Sequence, residues 1–250
     1  MEDLYRAESF TDPPQVLHFS LGHRMSRLSF ALVVLYALGL LYVDGQGSTG
    51  HCERPGVARY PELAQFIERH SLRRGHFILA SGRPSTYYID GKLTAMNPHG
   101  AVLIAKAILA EIECLPVDAI GGMDMGATPI VGAIAAVSDM TGRPFPVFVV
   151  RKEVKKHGTM KPIEGLIPES PSKVVIVDDV VTTGDSILKA IDEVQKSGHE
   201  VVLAISVLDR NAGATEALAR RHIAYQPLVT LEDIGVSDEP NRRGSEIGIG

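Results

Sequence analysis

The chain has 250 residues, enough for one large α/β domain or one domain with an appendage. Hydrophobic residues make up 45% and charged residues 22%, ordinary for a soluble globular protein, and a formal net charge of −5 argues against general nucleic-acid binding, which requires a basic face. The only cysteines are Cys52 and Cys114, with no CxxC or Cys/His cluster. That argues against a disulfide framework and a structural zinc site and fits a cytoplasmic, reducing location.

Residues 1–54 read as an extension unlike the rest. Within them "LSFALVVLYALGLLYV" (28–43) is a continuous apolar run preceded by His23, Arg24 and Arg27. It falls short of the ~20 residues that a spanning helix needs. It has the apolar core of a signal peptide, but it starts late and lacks a small-x-small cleavage site. Three readings compete: a membrane anchor, which is not favoured, a cryptic targeting segment, or a mis-assigned start codon. "DGQGSTG" (44–50) has the composition of a flexible linker, so the folded unit is expected over 55–235, with a flexible tail at 236–250.

From Tyr60 the pattern becomes regular. "YPELAQFIERHS" has helical spacing, with a proline near its start. "HFILASGRPSTYYID" reads as two strands joined through Ser81, Gly82, Arg83 and Pro84. A helix is expected in "AVLIAKAILAEIE", a strand in "VDAIGG", and a buried helix in "TPIVGAIAAVSDM", capped by Thr128 with Pro129 in its first turn. Strand "FPVFVV", a polar loop from Arg151, strand "KVVIVDD" and helix "DSILKAIDEVQKSG" follow. Strand "EVVLAISVLD", helix "ATEALARRH" and strand "YQPLVTL" close the core. Solid apolar strands alternating with helices predict an α/β fold whose central, mostly parallel sheet is covered on both faces. Ligands in such sheets bind beyond the carboxyl ends of the strands, which directs attention to the loops after Ile120, Val150 and Val177.

The last of these loops is the most unusual. "KVVIVDDVVTTGDS" (173–186) places Asp178 and Asp179 after a run of aliphatic residues and then supplies Thr182, Thr183, Gly184, Asp185 and Ser186 before a helix. A tight turn into a helix presents free backbone N–H groups and the positive end of the helix dipole, so a phosphate fits there. Two carboxylates beside it can accept hydrogen bonds from vicinal sugar hydroxyls or hold Mg²⁺ through water. A phosphorylated ribose supplies both features. The competing reading is a plain helix cap with solvent-facing aspartates.

The loop after Val150, "RKEVKKHGTMKPIEG" (151–165), carries Arg151, Lys152, Lys155, Lys156, His157 and Lys161 between a strand and Gly165. A solvated charged loop and a basic lid for a pyrophosphate are both compatible with that composition.

"VVIVDDVVTTGDS" resembles the phosphoribosyl-pyrophosphate motif of the type I phosphoribosyltransferases, and "RKEVKKHGTMKPIEG" resembles the catalytic loop of their orotate-specific branch, close to R-K-x-x-K-x-H-G. The resemblance runs from about Tyr60 to Val236. It implies the type I phosphoribosyltransferase fold with a small N-terminal hood, and orotate phosphoribosyltransferase activity in pyrimidine synthesis. It also implies Mg²⁺ as cofactor with no direct protein ligand, and a homodimer that shares loop 151–165 between subunits. By the same resemblance, phosphoribosyl pyrophosphate contacts Arg151, Lys152, Lys155, His157, Asp178, Asp179, Val180, Val181, Thr182, Thr183, Gly184, Asp185 and Ser186. Lys155, His157, Asp178 and Asp179 are the catalytic set, and Thr182, Arg210 and Tyr88 bind orotate. "FILASGRPSTYYID" (77–90) is similar to the family's hood, with Ser81, Gly82, Ser85 and Tyr88 on matching positions and Ala80 where some members carry a phosphate-contacting lysine. "GGMDMGATP" (121–129) is similar to its pyrophosphate loop but has no lysine. A purine-specific relative and a non-catalytic sensor of phosphoribosyl pyrophosphate are the rival readings. The basic loop and the absence of a helix-turn-helix pattern in 1–55 weigh against the sensor.

Overall fold

The computed structural model describes residues 58–78, 84–152 and 161–236. The apolar run 28–43, hood residues Ala80, Ser81 and Gly82, loop residues Lys155 and His157, and the tail beyond Val236 lie outside them. Among the described residues no helix is long and apolar enough to cross a membrane.

Helix α1 (Pro61–His70) opens the described fold and buries Leu63, Ala64 and Ile67, one stripe of an otherwise polar helix. Strands β1 (Leu72–Ile78) and β2 (Pro84–Ile89) pair antiparallel, with a register shift between Arg74 and Phe77. The short helix α2 (Gly91–Ala95), absent from the sequence reading, starts because Asp90 accepts from the Lys92 N–H at 3.1 Å. Helix α3 (Pro98–Glu111) begins before the expected "AVLIAKAILAEIE", because Asn97 Oδ1 accepts from the N–H groups of His99 and Gly100 and Pro98 fits the first turn.

The remaining strands are β3 (Ala119–Met123), β4 (Val147–Val150), β5 (Ile163–Gly165), β6 (Lys173–Val181), β7 (Glu200–Asp209) and β8 (Tyr225–Thr230). They form one sheet in the order β5-β4-β3-β6-β7-β8, parallel throughout except for β5, which runs antiparallel to β4 at the edge. The expected α/β sheet is therefore present. Helices α4 (Thr128–Met140), α5 (Asp185–Lys196) and α6 (Ala214–Ala219) supply the later crossovers.

Alternation along β6 shows how the core forms. Val175 and Val177 join the cluster containing Ile104, Ile108, Ile130 and Ile134, whereas Val174 and Ile176 join the one containing Ile187, Ile191 and Val194. Each side chain is fully buried, worth about 1.5–3 kcal/mol of transfer free energy apiece. Helix α5 answers with Ile187, Ala190, Ile191 and Val194 at i, i+3, i+4 and i+7, one face of a 3.6-residue repeat.

Three sequence expectations are corrected. Thr128 does not cap α4: the cap position is Ala127, without a side-chain bond, and the Thr128 hydroxyl donates to Asp124 Oδ1 at 2.7 Å. The polar segment from Arg151 does not run as a loop to Gly165, because Ile163–Gly165 pairs with β4. Strand β6 does not stop at the acidic pair but continues through Val180 and Val181, which pair with Leu208 and Asp209.

Candidate active site

The chain leaves β3 for β4 on one side and returns as β6 on the other, so strand order reverses between β3 and β6. The crevice at the carboxyl ends of such a pair is the natural ligand position in an open α/β sheet. Two loops converge there: Asp124 to Ala127 after β3, and Thr182 to Gly184 after β6. The Asp124–Met125 peptide is cis.

Asp178 and Asp179 occupy the last turn of the pleat before that crevice, 5% and 8% exposed. Each carboxylate accepts one bond from the following backbone: Asp179 N–H to Asp178 Oδ1 at 3.0 Å, and Val180 N–H to Asp179 Oδ1 at 2.9 Å. They do not face solvent as a plain turn would. Burial first, and the neighbouring Asp179 charge second, push the Asp178 carboxyl up to about 7. Gly126 packs directly on the pair, since a Cβ there would lie 2.4 Å from Asp178 Oδ1 and 2.7 Å from Asp179 Oδ1. Only glycine permits that approach.

The turn before α5 is equally specific. Gly184 has φ +87° at the N-cap position, a left-handed conformation that favours glycine, and no side chain caps the helix. Among the described residues, the first-turn N–H groups of α5 therefore have no intrahelical or capping side-chain acceptor. Thr182, Thr183, Asp185 and Ser186 are exposed around them.

A cavity of ≈ 630 Å³ spans the crevice. Of the residues expected from sequence it takes in Arg151, Lys152, Asp178, Asp179, Val180 and Ser186. Val181, Thr182, Thr183, Gly184 and Asp185 fall between the lining residues Val180 and Ser186 without lining it themselves, and Tyr88 and Arg210 are not among its lining residues. Arg151 is paired with Glu164 of β5, which anchors the start of the basic segment. Lys92 and Lys189 also line the cavity and were not picked out from sequence, as does Gly126 of the 121–129 loop. Lys92 Nζ is 3.6 Å from Asp179 Oδ2. The available signal was the Asp-Gly-Lys run after a strand, in which a capping aspartate fixes the lysine two residues later.

Arg210 follows β7, where its N–H donates to Val181 O at 2.9 Å and ties it to the end of β6. Its guanidinium carbon lies 5.2 Å from the Tyr87 ring centroid, and its Nε is buried without a hydrogen-bond partner. Among the described residues it has no ion pair with an acid. A half-buried guanidinium without an acidic partner among the described residues is suited to a planar carboxylate from outside. The structure brings Tyr87, not Tyr88, to Arg210: Tyr88 is 43% exposed and lies against Phe77, with ring centroids 5.7 Å apart.

The phosphoribosyl transferase domain family matches residues 98–222. An orotate phosphoribosyltransferase of Synechocystis sp. is 40% identical over 172 residues, spanning 69% of this chain and 86% of the relative. One from Rhodopseudomonas palustris strain BisB5 is 43% identical over 169 residues, spanning 66% and 90%. Among solved structures, the orotate phosphoribosyltransferase of Mycobacterium tuberculosis H37Rv superposes with a TM-score of 0.64 at 35% identity, covering 71% of this chain and 99% of that one. The chain belongs to the phosphoribosyl transferase domain family, and within it to the orotate phosphoribosyltransferases. The type I fold expected from the motifs is the fold observed.

Proposed function

We propose that the crevice between β3 and β6 is where this enzyme joins orotate to phosphoribosyl pyrophosphate, giving orotidine 5′-phosphate and pyrophosphate for pyrimidine synthesis. The activity is that of the family, a pentosyl transfer. The observation that carries the site assignment is a buried acidic pair beside an uncapped helix amino terminus at the strand-order reversal.

Asp178 and Asp179 accept the ribose hydroxyls and hold the ring as it flattens toward an oxocarbenium-like transition state. The N–H groups of the first turn of α5, with Thr182, Thr183 and Ser186, receive the 5′-phosphate. Arg210 takes the orotate carboxylate. Arg151, Lys152, Lys155 and His157 stabilise charge on the departing pyrophosphate. The work is positioning and electrostatics, without a covalent nucleophile.

Among the described residues no three carboxylate, imidazole or thiolate groups converge. The donors present, two carboxylates that line the cavity, would suit Mg²⁺ carried on the diphosphate and reached through water by Asp178 and Asp179. That ion supplies neutralising charge for the leaving group.

The test is pyrophosphate release by the full chain across a panel of orotate, uracil, adenine and hypoxanthine, with and without Mg²⁺. Release with orotate alone is expected, and preference for a purine would overturn the assignment. The homodimer with a shared loop is tested by mixing Lys155→Ala and Asp179→Asn chains: hybrid dimers regain activity if the loop acts on the neighbouring site. A cytoplasmic enzyme is the matching location.

A further inference from the structure

The acidic pair poses a problem that the family motifs leave open. Two buried carboxylates must both be ready to accept ribose hydroxyls, yet the loop that packs on them, Asp124 to Ala127, carries no cation. The position of Ala80 carries none either. Arg151 is already committed to Glu164, and Lys196 to Glu193 at 2.6 Å. Among the described residues, the only cation paired with either carboxylate is Lys92.

Its placement is built in. Asp90 caps α2 through the Lys92 N–H, fixing where the side chain leaves the backbone. Gly91, one residue before, sits so close to β6 that a Cβ there would lie 2.6 Å from Val180 Cγ2 and 3.1 Å from Asp179 Oδ2. Helix α2 is thus pressed onto the acidic strand end, and Lys92 Nζ projects over Asp179 into the cavity. Its side chain remains 47% exposed, so the ammonium has donors free for a second partner.

We propose that Lys92 is a substrate-contacting cation: it is the counter-ion of Asp179 in the free enzyme and a ligand of the diphosphate once the ribose hydroxyls occupy the carboxylates. The two states use one ammonium without moving the backbone. In the free enzyme Lys92 offsets the repulsion within the pair. In the complex the hydroxyls take over that task, and the lysine turns to the anion whose departure the reaction requires. This role supplies the positive charge missing from the loop after β3. It rests on the reading of the crevice as the site for phosphoribosyl pyrophosphate.

The experiment compares the full-length wild type with Lys92→Met, which keeps the length of the stem, and Lys92→Arg, which keeps the charge. Magnesium pyrophosphate is titrated calorimetrically into each, and KM is measured separately for phosphoribosyl pyrophosphate and orotate. Lys92→Met should weaken pyrophosphate binding and raise KM for phosphoribosyl pyrophosphate by about 10-fold or more, the loss of one charge-assisted contact. KM for orotate should hold, and Lys92→Arg should restore most of the affinity. A purely structural lysine would instead lower thermal stability with no selective change between the two KM values. Tight wild-type binding that Lys92→Met leaves unaltered overturns the proposal alone. No pyrophosphate binding by the wild type overturns it together with the reading beneath it.

Discussion

At the amino end of β6, Ser172 Oγ and His199 Nδ1 lie 2.7 Å apart and both residues are buried. Nearby, Lys173 N–H donates to Asp118 Oδ2 at 2.7 Å and Ser170 Oγ donates to Gly198 O at 2.8 Å. At the carboxyl end of the same strand, two carboxylates stand side by side with one half-exposed lysine for company. The first end pairs its polar groups with neutral or opposite partners, whereas the second sets two carboxylates together, each with one backbone N–H and the pair with one lysine. Buried polar groups that are satisfied stabilise modestly, whereas like charges held together cost stability. On the proposed assignment, the contrast separates residues that hold the sheet from residues that serve the reaction.

Substitutions should divide along that line. The largest effect is expected from Asp179→Asn, which removes an ionic acceptor from the ribose: turnover should fall by roughly 10²–10³-fold with no loss of thermal stability. Near-normal turnover would make the carboxyl end structural too. Gly126→Ala comes next, because its methyl cannot coexist with either carboxylate at the distances present. A displacement of that order should cost about 10²-fold in kcat/KM while the far end of the strand stays intact.

At the other end Ser172→Ala should do the reverse. It strands His199 Nδ1 in a buried position, so chemical denaturation should show a loss of about 1–3 kcal/mol while KM and kcat hold. A matching loss of activity would mean that the two ends are coupled through β6.

The smallest expected effect is on pH dependence. The Asp178 carboxyl is raised in the folded state, so its contribution to stability is fully present below about pH 4 and is lost as pH rises through about 7. Asp178→Asn removes that loss. The free variant should therefore melt higher than wild type at pH 8, by about 2–4 °C for each kcal/mol regained, with the gap closing toward pH 4. A constant gap across that range would place the destabilisation elsewhere.

Much of this arrangement was legible in the residues. The aliphatic run of β6 and the i, i+3, i+4, i+7 stripe of α5 fixed a strand and a helix, and the small residues between them marked the turn. What escaped depended on contacts across the fold. Strand β5 is only Ile163–Gly165, too short to show a period, and exists because β4 offers an edge. The end of β6 was set by the reach of β7, which pairs beyond the aspartates. Tyr87 and Tyr88 alternate faces, and which one meets Arg210 depends on the phase of the hairpin, which the register shift after Arg74 resets. For Lys92 the Asp-Gly-Lys run marks only a local cap; that its ammonium meets Asp179, far along the chain, depends on the fold.

The edge strand has one more consequence. Val150 pairs with Ile163, and Arg151 N–H donates to Pro162 O at 2.8 Å, so the segment between Lys152 and Lys161 departs from and rejoins the sheet at one closed gate. The pairing of β4 with β5 and the Arg151–Pro162 bond hold the two ends of that segment together on the sheet side. The basic segment is accordingly free to be rewritten: lengthening it, shortening it or exchanging it for a relative's should tune turnover while leaving the melting temperature where it was.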